Sequence, residues 1–264
     1  TGPDAAGKGR PVANRRADPR RRATADRGTL RVRAVSRLGM VLLAAGASRR
    51  FGSPKQLFHW PGVDGETLIR RAAREALASD IGPVSVVIPP SRRPARGDSS
   101  PLPDADFLLL SSSCRAALRD LAVHIVENPN SDLGMGSSLR IGLAALIERH
   151  PATDGVLLLL CDQPLVTAEH FRRLECARQA AHKPMAAARY DPSAATTGPK
   201  LPPPNVWGVP AILTGYYFNA LLALPANNDR GAKPLMAAHP EDLLLVPLPE
   251  AATDLDLPPA PNQL

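Results

Sequence analysis

The chain is short of the features that mark several common classes of protein. Only three of its 264 residues are cysteine, and Cys114, Cys161 and Cys176 have neither metal-ligand spacing nor the even count of a disulfide framework. This excludes a zinc ribbon or a disulfide-stapled scaffold and makes a reducing, cytoplasmic setting the expectation. The six histidines form no pair with metal-ligand spacing. No apolar run approaches the roughly 18–20 residues that span a bilayer, so no membrane helix is expected. Arg33 to Ser48 runs basic, apolar, then small, in the order of a secretory signal. Cleavage there would cut through the loop described next, so it is read as part of the fold. The G-x-G-x-x-G fingerprint is absent, and in the loop described next Lys55 stands three residues past Gly52, where a Walker loop requires Lys directly after the second glycine. A basic surplus is also missing where it would matter. Net charge is +7, but residues 1–37 carry 11 Lys/Arg against 3 Asp/Glu, which leaves residues 38–264 close to neutral. Nucleic-acid binding by the folded part is therefore not expected.

What is present begins with a loop, Leu43-Ala44-Ala45-Gly46-Ala47-Ser48-Arg49-Arg50-Phe51-Gly52-Ser53-Pro54-Lys55. It follows an apolar run, Met40 to Ala44, that reads as a buried strand. Small residues hold the backbone open, and cationic side chains arrive at Arg50 and Lys55. Inward N–H groups with fixed positive charge suit a triphosphate.

The rest of the chain alternates strand and helix patterns. Strands are expected at 39–44, 84–88, 123–126, 155–160, 186–189, 206–213 and 243–246. Helices are expected at 67–78, 114–121, 137–149, 167–180, 216–224 and 231–238, with Thr167 an N-cap. The segment 89–106, rich in Pro, Arg, Ser and Asp, reads as a surface insertion. Residues 1–37 have almost no large apolar side chains and are expected to be a disordered Arg-rich leader. Continuous apolar strands alternating with helices imply an α/β fold, a mostly parallel sheet covered on both faces. Ligands bind such sheets beyond the carboxyl ends of strands.

Two further loops carry chemistry. Cys161-Asp162-Gln163-Pro164 puts a carboxylate just past an apolar strand, where Mg²⁺ takes one or two carboxylates plus substrate phosphates. Alone, Asp162 reads first as a turn cap; beside the first loop it reads as a metal ligand. Cys161 reads as a small buried residue rather than a nucleophile. Asn128 to Arg140 runs from a strand through glycines into a helix, which suits either nucleotide contact or plain capping.

The pattern L-A-A-G-x-S-x-R-x-G-x-x-K, complete from Leu43 to Lys55, resembles that of nucleotidyltransferases that attach CMP or GMP to molybdopterin, and of their sugar-nucleotide relatives. C-D-Q-P at 161–164 and N-P-x-x-x-x-G-M-x-x-S-L-R-x-G-L from Asn128 to Leu143 resemble the molybdopterin cytidylyltransferase branch, as do the segments at 208–210, 229–233 and 254–258. The chain departs from the branch pattern at Val209, Asn228 and Leu257, mostly in the half expected to receive molybdopterin.

The resemblance implies a Rossmann-like three-layer nucleotidyltransferase fold in one domain, 38–264. It implies transfer of CMP from CTP to molybdenum-bound molybdopterin with Mg²⁺, releasing pyrophosphate. Arg50 and Lys55 would hold the triphosphate; Asp162 would hold the metal, with Asp256 the second carboxylate. Gly46, Ser48 and Gly52 would shape the phosphate loop. Leu43, Ala44, Ala45, Asn128, Gly134 and Ser138 would contact the nucleoside, with Gln163 near the nucleotide. A molybdoenzyme or its maturation chaperone is the implied recipient of the product. Two other readings stay open: transfer to a sugar phosphate or other small phosphate, and a non-catalytic cofactor carrier on the same fold.

Overall fold

Seven strands form one sheet in the order β3-β2-β1-β4-β6-β5-β7. The computed structural model describes residues 37–46, 48, 51–61, 65–92, 104–191 and 206–255. The strands are β1 (Leu38–Leu43), β2 (Val84–Ile88), β3 (His124–Glu127), β4 (Gly155–Leu160), β5 (Met185–Arg189), β6 (Trp207–Thr214) and β7 (Leu243–Pro247). β1 pairs in parallel with both β2 and β4, β2 with β3, and β5 with β7. β6 alone runs the other way, antiparallel to β4 and β5.

Strand pleating sorts β1 into two cores. Leu38, Met40, Leu42 and Ala44 face one cluster, which takes in Ile69 and Ala73 of α1 (Leu68–Ala78), Cys114 of α2 (Asp104–Ala117), and Phe171 and Leu174 of α4 (Ala168–Ala180). Val41, Leu43 and Ala45 face the other, with Leu139, Leu143 and Leu146 of α3 (Met135–Arg149), Leu221 of α5 (Phe218–Leu222) and Met236 of α6 (Lys233–Ala238). The result is helix, sheet, helix: the expected three-layer Rossmann-like arrangement, as buried apolar strands require. α3 lies especially close to the sheet. A Cβ on Gly142 would come 2.6 Å from Val87 Cγ2 and 2.7 Å from Val41 Cγ1.

Helix α2 departs from the sequence expectation. A short helix from 114 was expected after a surface insertion, but helix begins at Asp104. Phe107, Ser111, Cys114 and Leu118 are all buried at three- and four-residue steps. Ser111 interrupts the apolar stripe in sequence but not in space, because its hydroxyl is bonded to Glu127 at 3.2 Å. The remainder of the insertion, 93–103, lies outside the described residues, as does the leader up to residue 36. At α4, Thr167 is the N-cap, and its N–H donates to His170 Nδ1 at 3.0 Å.

Candidate active site

The register of the sheet decides what meets. Leu43 and Leu160 are paired at the ends of β1 and β4. The loops that follow them therefore leave the sheet side by side, and Cys161 N–H reaches Leu43 O at 3.4 Å. Ser48 then turns the first loop through a left-handed backbone conformation, φ 49°. Its hydroxyl oxygen accepts the Lys55 N–H at 3.0 Å, and its O–H donates to Gln56 Oε1 at 3.2 Å. That network folds the loop back on itself and delivers Lys55 to the cavity rim. Its ammonium donates to Asp162 Oδ2 at 2.6 Å. The other oxygen, Asp162 Oδ1, is buried with no hydrogen-bond partner.

A cavity of about 440 Å³ opens at these strand ends. Its first wall is Leu43, Ala44, Ala45, Gly46 and Ser48, with Lys55 and Asp162 at one side. The lining also includes Ser131 to Met135 with Ser138, closed by Asp229. Gly134 makes that closure possible: its φ is 127°, and a Cβ there would lie 2.5 Å from Asp229 Oδ1. The described lining carries one lysine and three carboxylates, Asp132, Asp162 and Asp229. A triphosphate entering this cavity needs more positive charge than Lys55 supplies. Hard oxygen donors with an unpartnered buried carboxylate oxygen suit Mg²⁺.

The MobA-like NTP transferase domain family matches residues 40–243, a span that contains every residue named as lining the cavity. The chain belongs to this family. Solved structures agree in fold. Rv0371c from Mycobacterium tuberculosis has a TM-score of 0.58 at 21% identity, covering 81% of this chain and 89% of its own. A nucleotidyl transferase from Methanothermobacter also has a TM-score of 0.58, at 19% identity, over 84% and 92% of the two chains. 4-Diphosphocytidyl-2C-methyl-D-erythritol synthase from Anaerococcus prevotii has 0.53 at 14% identity, over 84% and 91%. No curated protein is significantly similar to the chain. Membership of the family makes nucleotidyl transfer from an NTP the class of reaction.

Within this family member the expected site residues divide. Leu43, Ala44, Ala45, Gly46, Ser48, Lys55, Gly134, Ser138 and Asp162 share the cavity. Arg50 and Asp256 lie outside the described residues. Gly52 is exposed with φ 76° and turns the loop without lining the cavity. Asn128, expected to contact the nucleoside, does not line this cavity. Its amide donates to the Ser137 and Ser138 hydroxyls at 2.8 and 2.9 Å, behind the wall rather than in it. Gln163, expected near the nucleotide, follows the cavity-lining Asp162 but does not itself line the cavity. Its buried amide donates to Val209 O at 3.0 Å and Ala251 O at 2.8 Å, away from the cavity. The Val209 carbonyl also accepts from Tyr190 OH at 2.7 Å. Gln163 thus fastens the Asp162 loop to β6 and to the chain's C-terminal segment, and Leu255 N–H completes the join at Asp162 O, 3.0 Å.

The amides at the start of α3 are also committed within the protein. Gly136 N–H donates to Asn228 O at 2.7 Å and Ser137 N–H to Ala226 O at 3.2 Å. Sequence reasoning did not include Gln56, Asp132, Met135 or Asp229 in the site. Gln56 and Asp132 adjoin assigned residues, and the resemblance at 229–233 was the only pointer to Asp229.

Cys161 lines the cavity, yet its thiol is pushed well above the ordinary range by burial and by the adjacent Asp162 charge. It is protonated and inert, in keeping with a packing role. No helix among the described residues is long and apolar enough to cross a membrane.

Proposed function

We propose that the protein transfers CMP from CTP to molybdenum-bound molybdopterin, releasing pyrophosphate and forming the cytosine dinucleotide cofactor. The observation that carries the reading is the meeting of Lys55 and Asp162 across the strand ends, at a cavity walled by the L-A-A-G loop. The nucleophile is the acceptor's terminal phosphate oxygen, already an anion, so no general base is required. It attacks the α-phosphorus in line; the new P–O bond forms as the bond to the bridging oxygen breaks and pyrophosphate leaves. Positioning and charge neutralisation do the work.

Lys55 exchanges Asp162 for the phosphates of the incoming triphosphate, with Arg50 assigned beside it by the sequence resemblance. Asp162, through the oxygen that has no partner, would hold Mg²⁺, and Asp256 is the second carboxylate the resemblance implies. Mg²⁺, when bound, offsets the negative charge that grows on the departing pyrophosphate. The backbone of Ala44 and Ala45 orients the nucleoside against the 131–135 wall. The dinucleotide product would pass to a molybdoenzyme or its maturation chaperone.

The test is pyrophosphate release with Mg²⁺, each of the four nucleoside triphosphates, and molybdenum-loaded molybdopterin. Release with CTP far above GTP is expected. Comparable release with GTP moves the protein to guanylyl or dual specificity. Release only with sugar phosphates as acceptor overturns molybdopterin as the substrate. Triphosphate binding without release under any acceptor supports a carrier instead.

A further inference from the structure

The Asp162 loop is gripped from behind by a buried cation that the reaction itself does not use. Arg71, on the first turn of α1, is only 7% exposed. Its Nε donates to the Pro164 carbonyl, two residues past Asp162, at 2.6 Å. The side chain borders a small cavity beneath the loop, among Leu68, Leu159 and Phe171. An arginine is seldom buried this far unless a carboxylate offsets it. Here the carboxylates closest in sequence are engaged elsewhere: Glu66 pairs with Arg70 and Arg74, and Glu75 with Arg74. Glu75 stands four residues after Arg71, the spacing at which opposite charges on a helix meet. Instead, Glu75 Oε2 accepts the Ala168 N–H at 2.9 Å. Two charges that would ordinarily pair with each other are thus spent on the backbone of one segment, 164–168. Desolvating a guanidinium for a single carbonyl is a poor exchange for stability alone. It is accounted for if the position of this loop matters to the site.

We propose that Arg71 is a positioning residue for Asp162, holding the carboxylate at the angle from which Oδ1 meets the metal. This rests on the metal-binding role given to Asp162 in the function proposed above. On its other side the loop is tied by the Gln163 amide to Val209 O and Ala251 O, and by Asp162 O to the Leu255 N–H. Without Arg71 the loop would pivot on that second set of bonds, and the Asp162 carboxylate would turn with it. Groups that orient a metal's ligands from outside typically matter by about 10–100-fold in affinity or activity.

The experiment makes two titrations on the wild type, Arg71→Met and Arg71→Lys: Mg²⁺ in pyrophosphate release, and Mn²⁺ binding by electron paramagnetic resonance with CTP and no acceptor. Methionine keeps bulk among Leu68, Leu159 and Phe171 but neither donates nor carries charge. Arg71→Met is expected to raise the half-saturating Mg²⁺ and to weaken Mn²⁺ binding by about tenfold or more. Its KM for CTP at saturating Mg²⁺ should stay near that of the wild type. Arg71→Lys keeps a donor and the charge, and is expected to recover most of the loss. A folded Arg71→Met that is less stable yet takes both ions as the wild type does makes Arg71 a structural prop; it overturns the inference and leaves the proposed function standing. Should Arg71→Met fail to fold, Arg71→Gln is judged by the same titrations and the same criterion. A wild type that releases pyrophosphate without a divalent ion, or that binds Mn²⁺ equally well as Asp162→Asn, takes the metal away from Asp162 and overturns that assignment together with this inference.

Discussion

Lys55 Nζ sits 2.6 Å from Asp162 Oδ2, so an ion pair joins the loops that leave β1 and β4. Both side chains are more than four-fifths buried, at 16% and 17% exposure, which makes the pair more than a surface ornament. Under the proposed function a bound triphosphate draws Lys55 away from Asp162. Asp162→Asn keeps the size of the side chain but removes the charge proposed to hold the metal. It is expected to fold and to lose activity by about 10³-fold or more. Lys55→Ala is expected to cost about 10²–10³ in kcat/KM. Near-normal pyrophosphate release by either folded variant removes that residue from the catalytic set.

Gln163→Ala separates two roles that sequence alone could not. The amide serves Val209 O and Ala251 O, so its loss leaves the Ala251 carbonyl without this donor. A stability loss of about 1–3 kcal/mol is expected in denaturant unfolding. The KM for the triphosphate should stay near that of the wild type; a large rise in KM without loss of stability would restore Gln163 to the nucleotide.

Gly136→Ala tests the junction at the start of α3. A Cβ at this position would lie 2.4 Å from the Pro225 carbonyl oxygen, which as backbone gives way poorly. The substitution is expected to destabilise by roughly 2 kcal/mol and to raise the KM for nucleotide, because the 131–135 wall and Asp229 shift together. Unfolding curves and initial rates measure the two effects separately.

Glu127 provides a pH signature. Burial pushes its carboxyl up, but hydrogen bonds from Arg115, the Ser91 N–H and hydroxyl, and Ser111 outweigh this and bring it down to about 2 from an ordinary 4.5. The folded state therefore resists protonation that the unfolded chain accepts. The stability this contributes is whole above about pH 4.5 and is lost as pH falls toward 2. Thermal midpoints measured at about pH 5 and pH 3 should fall less in Glu127→Gln than in the wild type.

Thiol chemistry gives a check on the fold that needs no substrate. Cys114 is buried, which pushes its thiol up to about 12; Cys161 is raised further by burial; Cys176 is exposed. Mass spectrometry after brief alkylation should find modification at Cys176 alone in native protein and at all three in urea.

The strands were legible because β1, β2 and β4 are apolar on both faces, and only a covered parallel sheet suits such runs. The Lys55 and Asp162 loops were legible for the same reason, since both follow those strands. Helix α2 was not, because Ser111 sits in its buried stripe and takes its partner from Glu127 on another element. The roles of Gln163 and Asn128 were hidden likewise. Gln163 adjoins Asp162 and Asn128 opens the segment that holds Gly134 and Ser138, yet each amide is engaged by groups brought in from further along the chain. The Asp132–Asp229 wall exists only because the 225–231 turn folds over α3, and local sequence pattern carries no trace of that contact.

That turn has a consequence for how the cavity handles charge. With the Gly136 and Ser137 amides bonded to the Asn228 and Ala226 carbonyls, two of the donors in the first turn of α3 serve the protein's own fold. An anion in the cavity meets fewer open N–H groups there than at an unoccupied helix start. The 225–231 turn thus acts as a plug as well as a brace: any shift of it would release both amides at once.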